Sequence, residues 1–241
     1  MTEPLLQVNT VTKTFGGLHA VFQVSFQMKT GEIIGLIGPN GAGKTTLFNV
    51  ISGFYAPNKG HIHFNGHDIS GKPPYKLATL GIGRTFQVVK PFAGLTVLEN
   101  VVIASFSKYP KRRQAEQQAW KVLERTGLAD RAHAQASSLT LAGRKRLEVS
   151  KALALEPTLL LLDEVVAGLN PTEADRTIEL ILSLRDQGIT ILIVEHIMRV
   201  IMNISDRVVV LNFGQKIAEG NPREVVQNPG VIQAYLGEAR P

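Results

Sequence analysis

The chain has 241 residues, 44% hydrophobic and 19% charged, with 26 Lys and Arg against 20 Asp and Glu. That composition excludes whole-chain disorder and collagen-like or low-complexity organisation, and it suffices for one large core or two small ones. The absence of cysteine excludes disulfide scaffolds, thiolate metal sites and cysteine catalysis, while the net charge of +6 points either to an anionic partner or to a solvated basic surface. The first ten residues carry Glu3 and lack a basic start before an apolar stretch, so no secretion signal is expected. The apolar runs are short and broken by charges, so none should span a bilayer. A cytosolic chain follows from both.

The first informative element is residues 32–37, a short apolar strand running into a glycine-rich turn. That turn reads Gly38, Pro39, Asn40, Gly41, Ala42, Gly43, Lys44, Thr45, followed by Thr46, and it fits G-x-x-x-x-G-K-[ST] between a strand and a helix. Each residue type has a reason. Glycines let backbone N–H groups turn inward as a nest for phosphate oxygens, and the following helix offers its positive end to the same anion. Lys44 supplies charge to the outer phosphates, and the Thr45 hydroxyl suits Mg²⁺. A helical pattern covers 44–51, with Gly53 as its stop.

Residues 85–154 read as a helix-rich insertion. Within it 111–126 carries Ala115, Ala119, Trp120 and Leu123 at helical spacing, with Gly127 as the stop, and Trp120 reads as core packing rather than a partner contact. Two basic runs, 108–113 and 144–146, have no aromatics interleaved, which removes the single-strand stacking signature. The leucine run 158–162 predicts a strand buried on both faces, ending in Asp163 and Glu164. Asp163 suits Mg²⁺ at a strand end, and Glu164 suits a general base for an attacking water. Asn170, Pro171 and Glu173 predict a capped helix closed by Gly188. Residues 189–194 predict another buried strand, with Glu195 and His196 at its carboxyl end. Alternating strands and helices imply an α/β fold with a mostly parallel sheet, and in such sheets ligands bind beyond the strands' carboxyl ends. The segment from Asn221 reads as a short helical tail.

Together with the phosphate loop and the acid pair, residues 83–87 (Gly-Arg-Thr-Phe-Gln), 95–100, 167–171 and the ending Ala234-Tyr-Leu-Gly237 make the chain resemble the ATP-binding subunits of ABC transporters from end to end. Among these it is most similar to the branched-chain amino acid importer ATPases. The resemblance implies a P-loop NTPase: a RecA-like core at 1–86 and 155–220, an N-terminal antiparallel β part, an inserted α-helical subdomain at 87–154, and a tail at 221–241. It further implies ATP and Mg²⁺ as cofactors. Phe15 would stack on adenine, Gln87 would contact Mg²⁺ and the attacking water, and His196 would contact the γ-phosphate. Partners would be two membrane-spanning permease subunits, a second ATPase subunit and, indirectly, a substrate-binding protein, at the cytoplasmic face of the membrane; no nucleic acid is expected. Residues 168–171 would couple two sites across a dimer, and 87–104 would receive the permeases.

Three departures from the family pattern bear on mechanism. The signature segment reads Leu139, Thr140, Leu141, Ala142, Gly143 where Leu-Ser-Gly-Gly-Gln is usual. Thr140 keeps a hydroxyl, but Leu141 makes a close backbone approach less easy, and Gly143 loses the role of the final glutamine; Thr140, Ala142 and Gly143 would still face ATP. Val165 stands where a proline usually follows the acid pair, and Ile197 where an aspartate usually follows the histidine. The resemblance therefore implies an ATPase driving import of branched-chain or related amino acids. The alternatives are an ATP-holding clamp that hydrolyses weakly in an asymmetric heterodimer, or the ATPase of another ABC system such as lipopolysaccharide transport.

Overall fold

The computed structural model describes residues 3–236. The ending Gly237 and the last four residues of the expected tail lie outside the described residues.

The chain begins with β1 (Leu6–Phe15) and β2 (Leu18–Met28), an antiparallel hairpin turning at Gly16 and Gly17. Next come β3 (Ile33–Ile37), α1 (Lys44–Ile51), β4 (Lys59–Phe64), β5 (His67–Asp68), α2 (Pro74–Leu80) and β6 (Ile82–Arg84). The helical insertion follows as α3 (Val97–Ser105), α4 (Arg112–Arg125) and α5 (Leu141–Leu153). The chain then returns through β7 (Leu159–Asp163), α6 (Pro171–Asp186), β8 (Thr190–Val194), α7 (Met198–Ile204), β9 (Arg207–Asn212) and β10 (Gln215–Gly220). It closes with α8 (Pro222–Val225) and α9 (Pro229–Leu236). The helices expected at 44–51, at 111–126 and after Asn170 are all present. Asn170 caps α6 with a reciprocal Glu173 bond, which satisfies two orphan N–H groups.

Two sheets result. The first is antiparallel, ordered β2-β1-β4-β5, and the second runs β10-β9-β3-β8-β7-β6. In the second every pairing is parallel except β10 with β9. Side chains alternate faces along a strand, and here both faces are buried. Ile33 and Ile37 of β3, Leu160 and Leu162 of β7, Ile191 and Ile193 of β8, and Val208 and Val210 of β9 point into one core with α3 to α7. Their neighbours Ile34 and Leu36, Leu159 and Leu161, Leu192 and Val194, and Val209 and Leu211 point into a second core with α1 and the antiparallel sheet. The chain thus builds two cores on the two faces of one sheet, which is why these strands read as unbroken apolar runs.

The strand order fixes the site. β3, β8, β7 and β6 lie side by side and parallel, so the segments leaving their carboxyl ends emerge along one edge. In register, Leu36 and Asp163 both align with Val194. At about 4.8 Å per strand the four ends span about 15 Å, the scale of a nucleotide triphosphate.

Trp120 is partly buried against the first core and meets His133 edge-on, with centroids 5.7 Å apart. The two basic runs separate. Lys108 pairs with Glu156 and Arg112 with Glu116 on the surface. In the second run Lys145 is 8% exposed, and Arg144 binds the carbonyls of Ser137 and Leu139. For Lys145 the reading as part of a solvated face or a patch for an anionic partner is therefore corrected, because helix α5 turns it inward. Replacing Leu160 with alanine removes a fully buried side chain from the middle of the sheet and is expected to cost about 2–5 kcal/mol, measured as a lowered urea midpoint of the nucleotide-free chain.

Candidate functional site

The glycine-rich loop leaves β3 in a form that only glycine holds. Gly38 has φ 148° and a Cβ there would lie 2.1 Å from the Leu211 carbonyl oxygen, while at Gly43, φ 98°, it would lie 2.3 Å from that of Ala20. The same loop is tied to the β9–β10 turn, where the Gly214 N–H donates to the Ala42 carbonyl. α1 then starts at Lys44 with no side-chain cap on its first N–H groups, which leaves them to a ligand. Lys44 is buried, and its ammonium donates to the carbonyls of Gly38 (2.7 Å) and Pro39 (2.9 Å). Burial lowers its pKa, with the Glu164 charge opposing. Asn40, Gly41 and Thr45 are exposed, and Thr46 is half-buried.

A cavity of about 370 Å³ opens beside residues 41–46, walled by Leu18, His19 and Ala20 of β2 and by Phe213 of the β9–β10 turn. Leu18 and Phe213 are 72% and 84% exposed, so two large apolar side chains stand unpacked at its mouth. Sequence reasoning missed both, since neither sits in a motif. Phe15, the expected adenine platform, is not part of this wall. It meets Tyr55 edge-on at 5.2 Å, with the Lys13 ammonium 5.1 Å from its ring centre.

Asp163 ends β7, buried, with its N–H donating to the Thr85 hydroxyl. Burial raises its pKa, and the Arg84 guanidinium, 3.5 Å away, opposes the rise. Arg84 lies over the rings of Phe48, Phe54 and Phe86 at 4.9, 4.7 and 5.4 Å and donates to the Ser52 hydroxyl, a stacked environment suited to guanidinium.

Glu164 follows with φ 50°, a left-handed conformation uncommon for a non-glycine residue. Its N–H still donates to Val194. Its carboxylate is held on both oxygens: Gln87 Nε2 donates to Oε2 at 2.9 Å, and His196 Nε2 pairs with Oε1 at 2.5 Å. The three residues expected to act together thus form one hydrogen-bonded group, drawn from the ends of β6, β7 and β8. Gln87 keeps its amide oxygen as an acceptor for a cation or a water.

Thr45, Gln87 and Asp163 share a second cleft of about 470 Å³. Among the described residues no group of three or more His, Asp or Glu could form a metal cage. Hydroxyl, amide and carboxylate oxygens are nevertheless the hard donors that Mg²⁺ accepts beside substrate phosphates. Thr140, Ala142 and Gly143 line neither cleft. They open α5, where the Thr140 hydroxyl accepts from the Gly143 N–H, and Leu141 is 48% exposed beside Gly168.

A family model described as ABC transporter matches residues 21–167, and one described as branched-chain amino acid ATP-binding cassette transporter matches 215–240. The chain is 45% identical to the high-affinity branched-chain amino acid transport ATP-binding protein LivG of Salmonella typhimurium. It is 40% identical to the corresponding protein BraF of Pseudomonas aeruginosa. Each alignment covers 99% of this chain and 100% of the relative. Among solved structures, an ATP-binding cassette of an ABC transporter in its ADP conformation superposes with a TM-score of 0.91 at 34% identity, covering 98% of this chain and 100% of that one. A nucleotide-free ATP-binding cassette gives 0.90 at 33% identity, with the same coverage.

The lowered pKa of Lys44 sets a pH dependence. The folded chain releases this proton before the unfolded chain does, so the destabilisation is full below the lowered pKa and fades as pH climbs toward the ordinary lysine value of about 10.4. In Lys44→Met that relief is absent. As pH rises toward about 10.4 the urea midpoint of the parent is expected to gain on that of the variant; a constant difference would contradict the assignment.

Proposed function

This chain belongs to the ABC transporter ATPases, which bind and hydrolyse ATP to energise transport, and on that premise we propose that it powers import of branched-chain or related amino acids or amides. Its partners would be two permease subunits and a second ATPase subunit, with a substrate-binding protein acting through the permeases. Among the described residues no helix is long and apolar enough to cross a membrane, which accords with peripheral attachment at the cytoplasmic face. Phe86, Val88, Phe92 and Ile103, all exposed around 87–104, suit docking against the permeases. The proposed division is a nucleotide-binding core at 1–86 and 155–220, a helical subdomain at 87–154 and a tail from 221.

The observation that carries the reading is the Glu164 carboxylate, gripped by Gln87 and His196 on the sheet edge shared with the phosphate loop. The free backbone N–H groups between Asn40 and Thr46 receive the phosphates, and Lys44 exchanges its carbonyl partners Gly38 and Pro39 for the outer phosphates. Thr45, Gln87 and Asp163 would hold Mg²⁺, which neutralises developing phosphate charge when bound. Glu164 takes a proton from the attacking water, Gln87 orients that water, and His196 holds Glu164 while facing the γ-phosphate. Phe15, exposed against Tyr55, offers a ring to adenine.

Glu164→Gln is expected to retain ATP affinity within about threefold while hydrolysis falls by about 10²–10⁴, whereas Lys44→Ala is expected to lose binding itself. Equal hydrolysis by Glu164→Gln and parent would remove Glu164 from the role of base.

A second reading is favoured by Leu141. An exposed leucine at the start of α5 hinders close approach to a nucleotide held by another subunit, while the residues for hydrolysis within the chain are present. This points to an asymmetric pair with a different ATPase chain, in which Thr140, Ala142 and Gly143 form the weaker half-site. Light scattering on Glu164→Gln discriminates. A mass that doubles with Mg·ATP supports a homodimer closed by 139–143; a chain that binds ATP yet stays monomeric supports the heterodimer.

A further inference from the structure

Behind the carboxylate group lies a second charged cluster with no place in the steps above. Lys145, 8% exposed, extends from the first turns of α5 and donates to the main-chain carbonyl of Glu164 at 2.5 Å. Glu195, 2% exposed, precedes His196 and accepts the Val166 N–H on Oε1 at 2.7 Å. Its second oxygen has no hydrogen-bond partner among the described residues. Burial raises the pKa of Glu195 and lowers that of Lys145, and in each case the other's charge opposes the shift. Two buried ionisable groups that each face a main-chain group of one turn form a costly arrangement, retained where geometry is demanding.

The turn in question is the one that needs holding. Glu164 sits at φ 50°, which costs on the order of 1–3 kcal/mol and persists only where the surroundings over-determine it. Val165 follows and imposes no fixed φ, as a proline would. Three hydrogen bonds fix the segment instead: the Glu164 N–H to Val194, the Glu164 carbonyl to Lys145, and the Val166 N–H to Glu195. The first belongs to the β7–β8 register. The other two depend on this buried pair.

We propose that Lys145 and Glu195 are positioning residues for hydrolysis, clamping residues 164–166 so that the Glu164 carboxylate stays between Gln87 and His196, and tying that setting to the start of α5. The inference rests on the reading of Glu164 as the base. Lys145 lies five residues beyond Thr140, so the helix end expected to meet a nucleotide in the neighbouring subunit also holds the base of this chain's own site. A shift of α5 pulls on the Glu164 carbonyl.

The test uses the full chain and compares Lys145→Met, Lys145→Arg, Glu195→Gln and the double variant Lys145→Met/Glu195→Gln. Thermal midpoint, affinity for a fluorescent ADP analogue, and kcat and KM for Mg·ATP are measured for each. Lys145→Met removes the cation whose charge opposes the burial of Glu195 and is expected to lower the thermal midpoint; the double variant removes the buried anion as well and recovers it. The kcat of both is expected to stay about tenfold or more below the parent, with KM and ADP affinity changed less than about threefold. Lys145→Arg keeps a donor for the carbonyl and is expected to recover most of kcat. Glu195→Gln, which keeps an acceptor for Val166, is expected to lose less than Lys145→Met. A double variant that regains kcat together with stability would show a purely structural pair and overturn the proposal, as would a loss that falls on KM. Should Lys145→Met fold poorly, the charge-balanced double variant carries the test alone. Equal hydrolysis by Glu164→Gln and the parent overturns the base assignment itself, and is told apart because it is read on Glu164 and not on the Lys145 and Glu195 variants.

Discussion

Everything in the site depends on four strands lying side by side and parallel in the order β3, β8, β7, β6. Parallel pairing sends every carboxyl end to the same edge, and burial on both faces fixes the register of each strand. The phosphate loop, His196, the acid pair and Gln87 are dispersed over about 160 positions of sequence and become neighbours through strand spacing alone. A slip of one residue in β7 would exchange its two faces between the cores and carry Asp163 away from Val194. The hydrophobic pattern of the sheet therefore holds the catalytic geometry as firmly as any hydrogen bond within the site.

On that edge the electrostatics are arranged to receive an anion. Lys44 and Lys145 are buried cations, Arg84 is a partly buried one, and Asp163 and Glu195 are buried anions, yet none forms a close bidentate pair. Lys44 and Lys145 donate to main-chain carbonyls, and Arg84 stacks among phenylalanine rings while standing 3.5 Å from Asp163. Carbonyl oxygens satisfy an ammonium without neutralising it, so Lys44 keeps a charge that phosphate can recruit. A tight Lys44–Glu164 pair would satisfy both groups and leave neither free for nucleotide. In the structure Gln87 and His196 occupy the Glu164 carboxylate instead.

The parts legible in the sequence are those where one local rule decides. A strand buried on both faces reads as an apolar run, and a glycine-rich loop before a helix reads as a phosphate nest, so β3, β7, β8 and α1 stand out along with Lys44, Thr45, Asp163 and Glu164. Gln87 and Phe15 carry no local signal, and resemblance alone singled them out; His196 was marked by its place at a strand's carboxyl end, and only its role came from resemblance. The short strands β5 and β6 were illegible because pairing with β4 and β7 creates them, not any propensity of two or three residues. Lys145 was hidden for a further reason. Within the run Arg144, Lys145, Arg146 it looks like solvated charge, and only the packing of α5 against the 164–166 turn buries it while its neighbours stay half-exposed. Leu18 and Phe213 were passed over because an apolar residue at a turn has no signature until a cavity opens beside it.

The proposed clamp behind Glu164 also accounts for how a signature segment that departs from the family pattern is compatible with the proposed base. The side chains at the tip of α5, Thr140 to Gly143, face outward from this chain's own clefts, while Lys145 one turn further faces inward to Glu164. A helix rises about 1.5 Å per residue, so the two functions are separated by only about 7 Å along one rigid rod. Substitution at the outward tip would alter what a nucleotide meets across the proposed dimer. The inward contact is made by a different side chain on a different face, and it survives as long as α5 keeps its packing in the first core through Leu147, Val149 and Leu153. The helix can thus lose fitness as a lid for another site without releasing the base of its own, which is the division of labour that an asymmetric pair of ATPase chains requires.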